Sequence, residues 1–227
     1  MPLKQLVFSV AMMLSVSAFA QQSQPAADAN NKSVPVQAQQ LELAGQLVKY
    51  GYQTKSALPL IQAVQIYKSL NVSNATDKPA KETEGTKVES GLTKSGLVSF
   101  DETKLLADAT TFADGDKTLL ALIKDSEKTT RGAVPGPKRI YDRVEGNTTD
   151  IWRFTFRGGE TAIVGVSGDG DTDLDLYVYD ANGNFITSDT DLGDDCLVTF
   201  TPRWTGTFII KIKNLGRVYN NYLLVTN

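Results

Sequence analysis

The last 89 residues, 139–227, constrain the fold most. Short runs that alternate apolar and polar residues are cut there by turns of Gly, Asp and Asn. Twelve of the chain's nineteen aromatic residues lie in the same stretch. The spacing predicts strands at 151–156, 161–167, 174–179, 185–188, 197–201, 207–213 and 221–226. Seven short strands in that length predict an antiparallel, jelly-roll-like β-sandwich. Ala181-Asn182-Gly183-Asn184 is a hairpin signal between the third and fourth of them, because Asn-Gly takes the positive φ a tight turn needs.

The chain ahead of this region reads differently. Residues 1–20 have the form of a signal peptide: basic Lys4, an apolar run from Leu6 to Val16, and Ala18-Phe19-Ala20 before an expected cleavage at Gln21. Residues 21–40, rich in Gln, Ala and Asn, are expected to be a flexible tether. Helical periodicity follows over 41–128. Leu43, Leu47 and Tyr50 form one stripe; Leu60, Ile61, Val64 and Tyr67 form a second, with Ser56 as its N-cap and Pro59 in its first turn. Asp101 caps a third helix carrying Leu105, Leu106, Ala109 and Phe112. Asp114-Gly115-Asp116 turns the chain into a fourth, with Leu119, Leu120 and Ile123. The polar stretch within 71–99 is expected to be a long exposed loop. Residues 129–138, with two prolines and two glycines, are the expected linker and domain boundary. The fold class is therefore α+β and multidomain: a small N-terminal helical part and a C-terminal antiparallel sandwich.

Composition excludes several chemistries. The chain has no histidine and one cysteine, so no Ser-His-Asp triad, Cys-His pair, His/Cys zinc site or intrachain disulfide can form. Cys196, in a predicted strand beside Asp194 and Asp195, reads as a small buried hydrophobe. The net charge of −3 gives no argument for nucleic acid.

The charge is concentrated, however. Nine aspartates and no Lys or Arg lie between Asp169 and Asp195. Asp169, Asp171, Asp173 and Asp175 alternate. In a strand, Asp173 and Asp175 would share one face about 6.7 Å apart, with Leu174, Leu176 and Val178 on the other. Such carboxylates repel unless a cation offsets them, and calcium, a hard ion ligated by oxygens, is the natural candidate. The competing reading is a solvated rim of Asx turns. Asp189, Asp191, Asp194 and Asp195 form a second, weaker cluster. Trp204, in the turn-like Pro202-Arg203-Trp204-Thr205-Gly206, is the exposed aromatic that could hold a ligand; Trp152 reads as packing.

The runs Asp173-Leu174-Asp175-Leu176-Tyr177-Val178-Tyr179-Asp180 with Gly183, Ser188-Asp189, Phe200-Thr201-Pro202, Thr205-Gly206-Thr207-Phe208 and Tyr222-Leu223-Leu224 are distinctive together. In order and spacing, residues 148–227 resemble the bacterial pre-peptidase C-terminal domain. The resemblance implies a jelly-roll sandwich carried by secreted proteins, often after a peptidase; related sandwiches in some collagenases bind calcium and matrix polymers. Here the preceding 118 residues, 21–138, are too short and too His-poor for the usual peptidase. The expectation is an exported, non-catalytic protein, periplasmic or secreted. Its sandwich would bind an extracellular or periplasmic protein or polysaccharide, with calcium as the one possible cofactor, and without nucleic acid or stable membrane insertion. The alternative makes the sandwich a secretion or stability appendage and gives the protein contact to the helices. An enzyme using carboxylates alone is the weakest reading.

Overall fold

The computed structural model of the chain describes residues 27–29, 35–70, 73–74, 79–88, 92, 94, 98–127 and 138–227. The expected signal peptide lies outside the described residues, as does the 129–138 linker apart from Lys138.

The C-terminal region folds as eight strands: β4 (Lys138–Val144), β5 (Thr148–Phe156), β6 (Ala162–Gly168), β7 (Leu174–Asp180), β8 (Phe185–Asp189), β9 (Asp195–Pro202), β10 (Gly206–Asn214) and β11 (Asn220–Thr226). They form two facing antiparallel sets, β9-β6-β11-β4 and β5-β10-β7-β8. The chain changes sheet at every connection except the β7–β8 hairpin, which is the jelly-roll path. All seven predicted strands are present, and β4 is an eighth that the turn spacing did not reveal. The interior is aromatic. Phe200 and Phe208 lie 5.1 Å apart, and Phe156 is 5.2 Å from Phe200 and 5.9 Å from Phe208. Leu174, Leu176 and Val178 point into this core, as their alternation required.

Upstream segments extend both sheets. β1 (Ala27–Ala29) pairs with β9, and β2 (Ser73–Asn74) pairs in parallel with β4. β3 (Lys81–Gly85) pairs antiparallel with β5. The segment read as an exposed loop therefore contains an edge strand. The reason is Asp150 on β5, only 1% exposed. Its carboxylate accepts from Lys81 Nζ at 3.1 Å, Thr83 Oγ1 at 2.8 Å and Tyr222 Oη at 2.8 Å. A buried carboxylate needs such partners, and β3 supplies two of them.

The helices are α1 (Val36–Thr54), α2 (Ala57–Ser69), α3 (Glu102–Phe112) and α4 (Lys117–Ser126). Asp101 caps α3 by accepting from Lys104 N, and Asp116 caps α4 by accepting from Thr118 N and Leu119 N. Ser56 stands at the N-cap position of α2, but its side chain makes no capping bond. α1 begins at Val36, so the tether expected to run to residue 40 ends earlier, and its Ala27–Ala29 is a strand.

Of the stripe expected on α1, only Leu47 packs against the helical core. Leu43 and Tyr50 are 48% and 57% exposed. The buried face carries Ala38, Leu41, Ala44, Gly45, Val48 and Gly51. Small residues win because the helix lies close to its neighbours. A Cβ on Gly45 would fall 2.2 Å from Ser167 Oγ of β6, and one on Gly51 would fall 2.5 Å from Leu60 of α2.

The helices and the sandwich have distinct apolar cores that meet across one strand. β11 is apolar on both sides, as a strand covered on both faces must be. Tyr222 and Leu224 face the sandwich interior, while Leu223 and Val225 join the core of α1, α2 and α3. Glu102 locks the layers further, with Lys68 of α2 at 3.0 Å and Arg139 of β4 at 2.6 Å.

Candidate functional site

The four alternating aspartates do not converge on one point. Asp169 is buried in the β6–β7 loop. Its Oδ2 accepts from Asn221 N at 2.8 Å and Asn221 Nδ2 at 2.9 Å, and it pairs with Lys94. Lys94 Nζ also lies 3.1 Å from Asp171 Oδ2 and 4.4 Å from the centre of the Tyr219 ring. Asp173 precedes β7, and its Oδ1 accepts from Gly193 N at 2.9 Å. Asp175 accepts from Tyr177 Oη at 2.9 Å. Burial pushes the Asp169 carboxyl above its ordinary value, with Lys94 opposing.

The second cluster is held in the same way. Asp194 Oδ1 accepts from Lys49 Nζ at 2.6 Å, and its Oδ2 accepts from Gly170 N and, at 3.1 Å, from Asn220 Nδ2. Asn220, fully buried, ties the two loops together, since its Oδ1 accepts from Asp169 N at 3.0 Å. Lys49 also pairs with Asp195 Oδ2 at 2.7 Å.

A calcium ion does not fit this donor set. The ammonium of Lys94 sits between the carboxylates that would have to share the ion, and the other carboxylates turn to different N–H and O–H donors. Among the described residues, no three His, Cys, Asp or Glu side chains are grouped to hold a metal. The cations that offset the carboxylates are lysines, Lys94 beside Asp169 and Asp171 and Lys49 beside Asp194 and Asp195. They lie 75 and 145 residues upstream of the carboxylates they meet, beyond the reach of any local sequence pattern.

Trp204 is 51% exposed, in the turn between β9 and β10. The β5–β6 turn packs against its backbone, where a Cβ on Gly158 would lie 2.6 Å from its Cα. Trp152 is buried and donates to Tyr222 Oη at 2.9 Å.

The site that sequence reasoning missed is a cavity of about 200 Å³ between the helix layer and the outer face of the six-stranded sheet. Leu41, Leu197, Leu223 and Val225 supply apolar walls, and Gly165 of β6 leaves room. Glu42, Asp189, Asp191 and Asp195 supply carboxylates. Tyr67 of α2 also lines it. Tyr67 is 1% exposed, and its hydroxyl has no hydrogen-bond partner among the described residues. Burial pushes that hydroxyl well above the ordinary phenol value, with Arg139 opposing and Asp195 adding to the rise. Cys196 also borders it, but its thiol is turned into the sandwich interior, where it donates to Leu174 O at 3.1 Å; burial, then Asp189, Asp195 and other nearby aspartates, raises its pKa. Trp204 does not line this cavity.

No family model matches the chain. No curated protein matches it either. Among solved structures it is similar to the pre-peptidase C-terminal domain of collagenase from Bacillus anthracis, at 12% identity and a TM-score of 0.35, covering 39% of this chain and 87% of that one. A likeness of that size bears on no residue or activity here, and the sandwich fold stands on its own strand order. No helix among the described residues is long and apolar enough to cross a membrane.

Proposed function

We propose that this chain is an exported, non-catalytic binding protein whose ligand enters the seam between its helices and its sandwich. The observation that carries this reading is Tyr67, which lines a cavity large enough for a small ligand group and whose buried hydroxyl has no partner among the described residues. A buried polar group left unsatisfied costs about 1–3 kcal/mol, so it invites a ligand that satisfies it. Export rests on the signal-like residues 1–20. A non-catalytic role is supported by the absence of histidine and by a single thiol that is buried and hydrogen-bonded.

Gly165→Leu tests the reading. A Cβ there meets only Leu197 Cδ1, at an ordinary 3.6 Å, so the larger side chain fills the cavity without backbone strain. Amide NMR spectra of the full chain with a mixture of small amines, alcohols and acids should show shifts at 165, 197 and 225 that Gly165→Leu abolishes. Seam shifts that persist in Gly165→Leu, or no seam shifts at all, would contradict the proposal.

A second reading, contact through the helices, is favoured by the exposed Leu43, Tyr50 and Leu58 on α1 and α2. Leu43→Glu would abolish such a contact and leave the seam intact.

A further inference from the structure

The seam also carries a charge pattern that specifies its ligand. This step rests on the reading of the seam as a binding site. Four carboxylates, those of Glu42, Asp189, Asp191 and Asp195, line the cavity, and no Lys or Arg among the described residues does. The cation nearest in the ion-pair pattern, Lys49, is already shared between Asp194 and Asp195. Asp189 is fixed by Leu197 N, which donates to its Oδ2 at 2.8 Å, and by Asp191 N at 3.3 Å. Asp191 and Glu42 are exposed, with Gln46 Nε2 donating to Glu42 Oε1 at 3.2 Å. None of these four carboxylates except that of Asp195 has a lysine or arginine partner among the ion pairs described.

Apolar walls complete the cavity, and the hydroxyl of Tyr67, which also lines it, has no hydrogen-bond partner among the described residues. We propose that the seam binds a protonated amine carried on a short apolar stem. The ammonium donates its N–H groups to the carboxylates and to the Tyr67 oxygen, and the stem lies against Leu41, Leu223 and Val225. An anion would meet uncompensated negative charge, and a purely apolar ligand would leave Tyr67 unsatisfied. The volume suits the ligand, since an apolar cavity of about 150 Å³ already holds a benzene ring.

The amine has two sources with the same chemistry, a free small molecule or a lysine side chain of a partner protein. The test is an NMR titration of the full chain at constant ionic strength with n-butylammonium, n-butanol and n-butyrate, following residues 165, 197 and 225. The expected result is that butylammonium binds at least about tenfold tighter than butanol, and butyrate weakest of all. Glu42→Gln combined with Asp191→Asn, both on exposed residues, should weaken butylammonium about fivefold and leave butanol unchanged. An acetylated and amidated Gly-Lys-Gly peptide that binds tighter than butylammonium identifies a protein side chain as the source. A weaker one identifies the free amine. Butanol binding as tightly as butylammonium overturns the charge preference and leaves the seam a binding site. No seam shift with any of the three probes overturns both.

Discussion

The two faces of the six-stranded sheet are built on opposite principles. The inner face meets large aromatics packed ring to ring, with Phe156, Phe200 and Phe208 within 6 Å of one another. The outer face meets the helices at a close contact of Gly45 with Ser167 and through aliphatic residues such as Leu223 and Val225, and it keeps a cavity, a buried hydroxyl and several carboxylates. Strand β11 belongs to both at once. The inner face is where a change in volume costs most. The outer face gives up packing and polar satisfaction, which is what a site held open for a ligand requires.

Truncations should separate the faces. Phe208→Ala, in the filled interior, is expected to cost about 4 kcal/mol in denaturant unfolding. Leu41→Ala, beside a cavity that already exists, removes fewer contacts and is expected to cost about 2 kcal/mol. Equal costs would break the comparison. Lys81→Met, which takes the ammonium from buried Asp150, should cost about 2 kcal/mol through the β3–β5 pair and leave seam binding untouched. A smaller effect is expected with pH. Burial raises the Asp150, Asp169 and Asp195 carboxyls above their ordinary 3.8, with nearby hydroxyls and lysines opposing. A pKa raised by folding gives stability that is complete below the ordinary value and lost as pH rises through the raised one. The unfolding free energy should therefore decline as pH rises from about 4, opposed by Glu102, whose pKa is lowered overall because Arg139 and Lys68 outweigh its burial. Asp150→Asn should flatten the decline. The smallest effect is calcium: with Lys94 between Asp169 and Asp171, calcium and chelator should give melting temperatures within about 1 °C of each other.

Much of the sandwich was legible because its strands alternate cleanly and its turns carry Gly and Asn. The capping aspartates of α3 and α4 were legible for the same local reason: Asp101 and Asp116 meet N–H groups two or three residues on. What failed was everything decided across the chain. Lys81–Gly85, with three charges in five residues, has no apolar alternation, and it is a strand because Asp150, some 70 residues later, needs its lysine and threonine. On α1, hydrophobicity pointed to Leu43, Leu47 and Tyr50, whereas the decisive property was smallness at 44, 45 and 51. The acidic run looked like a metal site because Lys49 and Lys94 are remote in sequence. The seam could not be read at all, since Tyr67 reads as an ordinary core residue, and only the fold shows its hydroxyl without a partner among the described residues.

Whether the outer face gives up stability to keep a binding site can be read from that hydroxyl. Tyr67→Phe keeps the ring and removes only the unsatisfied oxygen. Its unfolding free energy and its affinity for n-butylammonium should be measured on the same protein. The expected variant is about 1 kcal/mol more stable than the parent and binds the amine more weakly. A variant that is less stable, with its affinity unchanged, would mean that the hydroxyl already serves the fold and that the seam is not held open for a ligand.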